Sequence, residues 1–345
     1  VNRRAALAVA VALPLAPRLR AGAAPVGPVP DADLVARAQM EKTLLFYAAM
    51  NGEDLAKTAA AFTAQYGIEC RTLRLASNAI GPKLSIEQRA GHNEADVLFD
   101  TGYDTEVMKR NGLLVRFSVP ESKDCAPGYD DPDGFWSSFL ISFVVFMYNT
   151  NRVQAMGIAP PTAWADFARP EWRGKFAIYG GAIDWYVGLR RALGRDAADR
   201  LVRAIGANGP IITPTRQQAT SLTGTGEYAA ALAVFGKEAA HLKATGLPVD
   251  FANAPPTVCD ASALALVKGG PHPNAGKLFI RWLFSRQVQQ DLVVGTFGHV
   301  SPRKDVKSNP ALWNPRMRTV ILDSSEVQTY AEDLKTFNTW FGIPT

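Results

Sequence analysis

The feature that most constrains this chain is a repeated switch of hydrophobic period, from apolar runs of strand length to helical spacing and back, beginning at Thr43. Thr43–Ala48 (TLLFYA) is an apolar run of strand length. Residues 53–66 place Leu55, Ala59 and Phe62 at helical spacing, and Gly67 follows as a stop signal. Residues 68–75 alternate as a strand, 80–90 read as a helix, 95–99 as a buried strand, and 105–111 as a helix closed by Gly112. This alternation predicts a mostly parallel sheet with helices on both faces. A second series follows residues 139–149, with strands at 175–179 and 229–235 and helices at 185–193, 197–205 and 217–223. Pro255-Pro256 marks a break, after which residues 262–267 read as a strand and 274–285 and 287–294 as helices. The aromatic-rich tail, 309–341, reads as helical.

Two such series in 345 residues amount to two domains of ordinary size. With 47% hydrophobic and 20% charged residues the chain has the material for a sizeable core. The first 24 residues differ in kind. Arg3 and Arg4 precede an apolar stretch, 5–16, and a small-residue run, 21–24, the parts of a secretory signal. Pro14 and Pro17 argue against a buried helix there. Residues 25–41 read as a linker and short helix. Removing the leader takes four arginines with it, so a net charge of +5 becomes +1 and the basic balance gives no support to nucleic-acid binding.

Cys70, Cys125 and Cys259 lie far apart with no C-x-x-C and no adjacent His, which speaks against zinc and thioredoxin-like chemistry. One disulfide with one free thiol stays open as a pairing in an oxidising compartment. No cysteine near the cleavage site offers a lipid anchor. The expectation is an exported, unanchored, monomeric protein of the periplasm. Four histidines (His92, His241, His272, His299) are scattered, and there is no G-x-S-x-G, H-E-x-x-H or Walker loop. No catalytic residue, metal or cofactor is expected.

In doubly wound sheets ligands sit beyond the carboxyl ends of the strands, where helix N-termini offer unpaired N–H groups. That places Asn51, Asn78, Asp100 and Thr101 as first-unit candidates, each of which alternatively only caps its helix. Asp100 suits an ammonium group on a ligand. In the second unit, Asp184, Trp185 and Tyr186 follow Gly180-Gly181, so that Asp184 either caps a helix or meets a ligand and the two rings either stack on it or fill the core. Thr215, Arg216 and Gln217 open a further helix, where the Arg216 fork beside free N–H groups suits a carboxylate or phosphate, the plain alternative being a solvated arginine.

Six segments in order resemble the extracellular solute-binding proteins of ferric-ion and related small-solute ABC importers: LLFYAAMNGEDLAKTAAAFTAQYGI, ADVLFDTGYDTEVMKRNGLL, DGFWSSFLISFVVFMYNTNRV, PTAWADFARPEWRGKFAI, GGPHPNAGKLFIRWLFSRQVQQ and SPRKDV. The resemblance implies a two-lobed periplasmic-binding fold of type II, with a first lobe from 42–145 and 256–306, a second from 146–255, hinge strands between them and C-terminal helices from 307–345. It further implies capture of a small solute by closure and delivery to a membrane permease. The iron-binding members hold metal with a tyrosine pair and a first-lobe histidine. This chain has Phe235-Gly236 at the tyrosine position and no His near Met50-Asn51. A hard ferric ion wants oxygen donors that Phe235 lacks, so the reading favours a small polar or anionic organic solute, with Phe235 as an apolar wall. The alternatives are a ferric-ion binding protein and a divergent enzyme on the same fold.

Overall fold

The computed structural model describes residues 31–308, 312–313, 317, 319–321 and 326–344; the expected leader and most of the linker lie outside them. The strands are β1 (Thr43–Ala48), β2 (Glu69–Arg74), β3 (Val97–Asp100), β4 (Leu114–Val115), β5 (Trp136–Asn149), β6 (Phe176–Tyr179), β7 (Ile211–Thr213), β8 (Ala230–Phe235), β9 (Val249–Ala252), β10 (Thr257–Val267) and β11 (Thr319–Ile321). The helices are α1 (Ala32–Glu41), α2 (Gly52–Tyr66), α3 (Ser77–Arg89), α4 (Gly102–Arg110), α5 (Thr150–Ala155), α6 (Ile183–Leu193), α7 (Arg195–Ala207), α8 (Arg216–Gly224), α9 (Gly236–Ala244), α10 (Pro273–Phe284), α11 (Arg286–Val288) and α12 (Tyr330–Phe341).

The strands follow the order β2-β1-β3-β10-β5-β8-β6-β7. β1 pairs parallel with β2 and β3, and β6 parallel with β7 and β8, as strand–helix alternation demands. Between these two parallel units run the long antiparallel strands β5 and β10. β5 changes partner between Phe143, opposite Cys259 of β10, and Val144, opposite Phe235 of β8. A bulge in each ladder bends the ribbon where it passes from one lobe to the other, at Ser262/Ala263 against β5 and at Val145/Met147 against β8.

Each lobe buries both faces of its sheet. In β1, Leu44, Phe46 and Ala48 face one core with Phe62, Phe279 and Trp282, while Tyr47 faces the opposite core with Ile80 and Leu98, the period-2 alternation of a strand. The second lobe closes around Trp164, Phe167, Trp172 and Trp185 on one face. The C-terminal helix α12 completes that core with Phe337 and Phe341, and an ion pair from the half-buried Arg190 to the buried Asp333 pins it to α6.

Several elements differ from the sequence reading. β7, α9 and β9 had no predicted counterpart, α3 begins at Ser77, and β10 begins at Thr257 because the hinge half of the strand is as buried as the rest. Residues 289–296 form a π-helical turn. The tail holds β11 ahead of α12, so it is not wholly helical, and parts of it lie outside the described residues. All three cysteines are buried and unpaired, so no disulfide forms. Burial pushes each thiol up to about 12.

Candidate functional site

A cleft of about 490 Å3 opens between the lobes. The first lobe supplies the segments after β1 and β2 (Ala49 to Asp54, Arg74 to Ser77); the second supplies those after β6, β7 and β8, namely Tyr179, Pro214 to Gln217, and Phe235 with Lys237 and Glu238. The first turns of four helices therefore meet it: α2, α3, α8 and α9. Asn51 caps α2 by accepting from the Asp54 N–H at 2.9 Å, and Thr215 caps α8 by accepting from the Gln218 N–H at 3.1 Å. Ala76 and Phe235, at the same position of α3 and α9, supply no side-chain cap. Two helix starts, one from each lobe, thus bring partial positive charge to the cleft.

Arg216 is the most tightly framed polar side chain of the cleft. Its Nε–H donates to the Ala233 carbonyl at 2.9 Å and its Nη2–H to the carboxylate of Asp184. The guanidinium lies 4.5 Å from the Phe235 ring and 5.0 Å from that of Tyr179. Ala233 adopts φ 53°, a left-handed backbone rare for a residue with a Cβ. It lies at the β8 bulge, where Leu232 and Ala233 stand opposite the single Phe146 of β5, and its carbonyl serves Arg216 instead of a regular ladder. Burial raises the Tyr179 phenol above its ordinary value, so that ring is a neutral wall.

Side chains of Arg74 and Lys237 join the lobes across the cleft. Arg74 donates from Nε to the Met50 carbonyl at 2.9 Å and from Nη2 to Gln217 Oε1 at 3.2 Å. Lys237, at the start of α9, pairs with Asp54, at the start of α2.

Of the residues expected at the site, the structure gathers Asn51, Thr215, Arg216, Gln217 and Phe235 around this cleft. The others lie elsewhere. Asn78 is exposed in the first turn of α3, and its neighbour Ser77 lines the cleft instead. Asp100 is fully buried, so the expectation that it meets a ligand ammonium gives way to a place behind the cleft, where it accepts from the Thr101 N–H at 2.8 Å. Thr101 caps α4. Asp184 is neither a cap, a position Ala182 holds, nor a wall of the cleft; it sits in the first turn of α6 as the partner of Arg216. Trp185 and Tyr186 are fully buried: Trp185 packs on Trp164 at 5.3 Å, and the Tyr186 hydroxyl donates to Asp199 at 2.7 Å. Their rings fill the second-lobe core because α6 turns that face toward the sheet.

Sequence reasoning passed over Arg74, Ser77, Tyr179, Lys237 and Glu238. Arg74, Ser77 and Tyr179 sit at or just past strand ends, as the strand-end rule allows, whereas Lys237 and Glu238 belong to the unpredicted α9. Among the described residues no group of His, Cys, Asp and Glu has the arrangement of a metal site.

A family model described as bacterial extracellular solute-binding protein matches residues 57–319. The fold is similar to solved periplasmic binding proteins. AfuA from Actinobacillus pleuropneumoniae, solved with fructose-6-phosphate, superposes with a TM-score of 0.80 at 18% identity over 88% of this chain and 100% of its own. Iron-bound HitA from Pseudomonas aeruginosa gives 0.75 at 19% over 86% and 99%. The periplasmic binding protein P5PA gives 0.76 at 18% over 88% and 99%. No curated protein sequence matches the chain.

Proposed function

Because the chain belongs to the bacterial extracellular solute-binding family, whose members serve ABC importers, we propose that it holds a small anionic organic solute in its interlobe cleft, in the periplasm, and presents it to a membrane permease. One observation carries this reading: uncapped starts of α3 and α9, from opposite lobes, share one cleft with Arg74 and Arg216. Helix N-termini and guanidinium forks are the two commonest devices for holding carboxylate or phosphate. Arg216 comes pre-ordered by Asp184, Ala233 and two rings, so little side-chain entropy is lost when its remaining N–H donors meet a guest. Asn51, Ser77, Thr215 and Gln217 supply neutral hydrogen-bonding groups for the rest of the solute, and Phe235 an apolar wall.

A ferric ion fits the lining less well. Phenolate and carboxylate oxygens suit it, while here the lining phenol is the buried Tyr179 facing Arg216, Asp54 and Glu53 are paired with Lys237 and Lys57, and burial raises the Glu238 carboxyl. Such a receptor works by hinge closure about β5 and β10, with solute contacts from both lobes favouring the closed form.

Thermal denaturation with a panel of phosphomonoesters, di- and tricarboxylates, amino acids and polyamines tests this. At one hundred times its Kd a ligand adds about 2.7 kcal/mol of stability. An anion is expected to raise the melting temperature; stabilisation by polyamines alone would overturn the anionic reading.

A further inference from the structure

Behind the cleft, where the lobes meet the hinge, four carboxyl groups from different parts of the chain come together. Asp100 ends β3 and Asp104 lies in the first turn of α4, both in the first lobe. Asp260 belongs to the crossing strand β10, and Asp184 to the first turn of α6 in the second lobe. We propose that protonation of Asp100, Asp104 and Asp260, beside the Arg216–Asp184 ion pair, holds the lobes together, so that the cleft closes by taking up protons and opens as they leave.

The charge inventory carries the inference. Arg216 of α8 is the cation that the cluster faces, and it is already bonded to Asp184. Among the described residues two phenols are also turned toward it, Tyr179 of β6 and Tyr330 of α12, both pushed up by burial and therefore neutral, with the ring of Tyr103 of α4 packed on Tyr330 at 5.2 Å. Glu238 of α9 faces Arg216 from the cleft side, and burial raises its carboxyl too. Full ionisation of the four aspartates would leave one guanidinium against four carboxylates in a place with little water, an arrangement that desolvation and like-charge repulsion both oppose.

The hydrogen bonds agree with that inventory. Asp260 accepts from the Gly102 N–H at 3.0 Å and from the Ser262 hydroxyl; Asp104 accepts from the Thr101 hydroxyl at 2.7 Å. Oδ2 of Asp100 and Oδ2 of Asp184 are buried with no hydrogen-bond partner among the described residues. At Asp100, leaving that oxygen unpaired costs more in the ionised form than in the protonated one. Gly102 fits against β10 only because it lacks a side chain: a Cβ there would stand 2.5 Å from the Ala261 carbonyl, so the first-lobe carboxyls approach the hinge closely.

Burial is the leading cause of the shift at Asp100, Asp104 and Asp260. It holds Asp100 well above the usual carboxylate range, Asp104 at about 6 and Asp260 at about 7. Opening the lobes admits water, which returns these groups toward ordinary values and releases their protons. The closed form is therefore favoured at low pH and loses ground as pH rises through about 6 to 7. Each proton so linked changes the closing constant about tenfold per pH unit between the ordinary carboxylate value and that range, and no further above it.

Small-angle scattering of the full chain without added solute, from pH 5 to 8.5, tests the device. The expected result is a compact form at pH 5 that gives way to a more extended one as pH rises through about 7. Asp260→Asn with Asp104→Asn should flatten that dependence, and Asp104→Asn alone, at a half-buried position, serves if the double variant does not fold. A scattering profile constant across the range, or one shifting equally in the variants, would overturn the proposal. The inference rests on the hinge-closing receptor reading, yet no solute enters the experiment. A protein that binds an anion but scatters identically at every pH refutes the proton lock and leaves the receptor intact.

Discussion

Arg216 shows how a single side chain gathers its meaning from neighbours distant in sequence. Its position at a helix start beside Thr215 was legible, because Thr-Arg-Gln after a Pro is an N-terminal pattern. Its partner was not. Asp184 stands 32 residues earlier, and its place after two glycines resembles a helix cap; only packing α6 against α8 turns it into a counter-ion. The left-handed Ala233 was invisible for the opposite reason, since alanine carries no signal for positive φ and the bulge that imposes it needs both strands. Arg216→Ala leaves Asp184 buried without its partner, so a loss of about 3–5 kcal/mol in urea denaturation is expected. Adding Asp184→Asn should recover part of that loss. A double variant as unstable as the sum of the two singles would mean that the pair is not coupled.

Strand-to-helix alternation was read correctly in outline because each early element carries its own period and its own stop. Gly67 at φ 69° ends α2 in the left-handed cap that the sequence signalled. The missed elements are those whose pattern is weak alone. β7 spans three residues, and α9 (GKEAAHLKA) is so rich in alanine that no apolar stripe stands out. The crossing strands were half legible: β5 was seen as a bridge, but β10 was read from Ser262 onward, since a strand buried on both faces shows no alternation. The docking of α12 is tertiary information altogether. It depends on Gly206 of α7, where a Cβ would lie 2.4 Å from the Trp340 carbonyl. Gly206→Ala is expected to loosen α12, raising amide hydrogen exchange across Tyr330–Phe341 at least tenfold while β1 to β3 stay protected. Equal exchange in variant and parent would show that the helix tolerates the displacement.

At the scale of the molecule, the described residues join the two lobes through the β5–β10 ribbon, a shared apolar cluster that includes Tyr129, Val300, Ala177 and Ala239, the insertion of Tyr103 of α4 into the second-lobe core, and the polar bridges Arg74–Gln217 and Asp54–Lys237. Its overall architecture came from the sequence through both alternation and resemblance, and each lobe's candidate residues came from the strand-end rule. What no pattern along one chain conveys is which strand ends face one another across the gap. That is why Asn51, Arg216 and Phe235 meet at the cleft while Asp100, Trp185 and Tyr186 do not. The central claim, that this cleft holds a small organic anion, is tested most directly by calorimetric titration of the protein with the anion that most raises its melting temperature. Saturation at one equivalent, with the Kd raised at least tenfold in Arg216→Lys, which keeps the charge but loses the fork, is the predicted result. An unchanged Kd in Arg216→Lys and in Arg74→Ala alike would place the anion elsewhere and contradict the account.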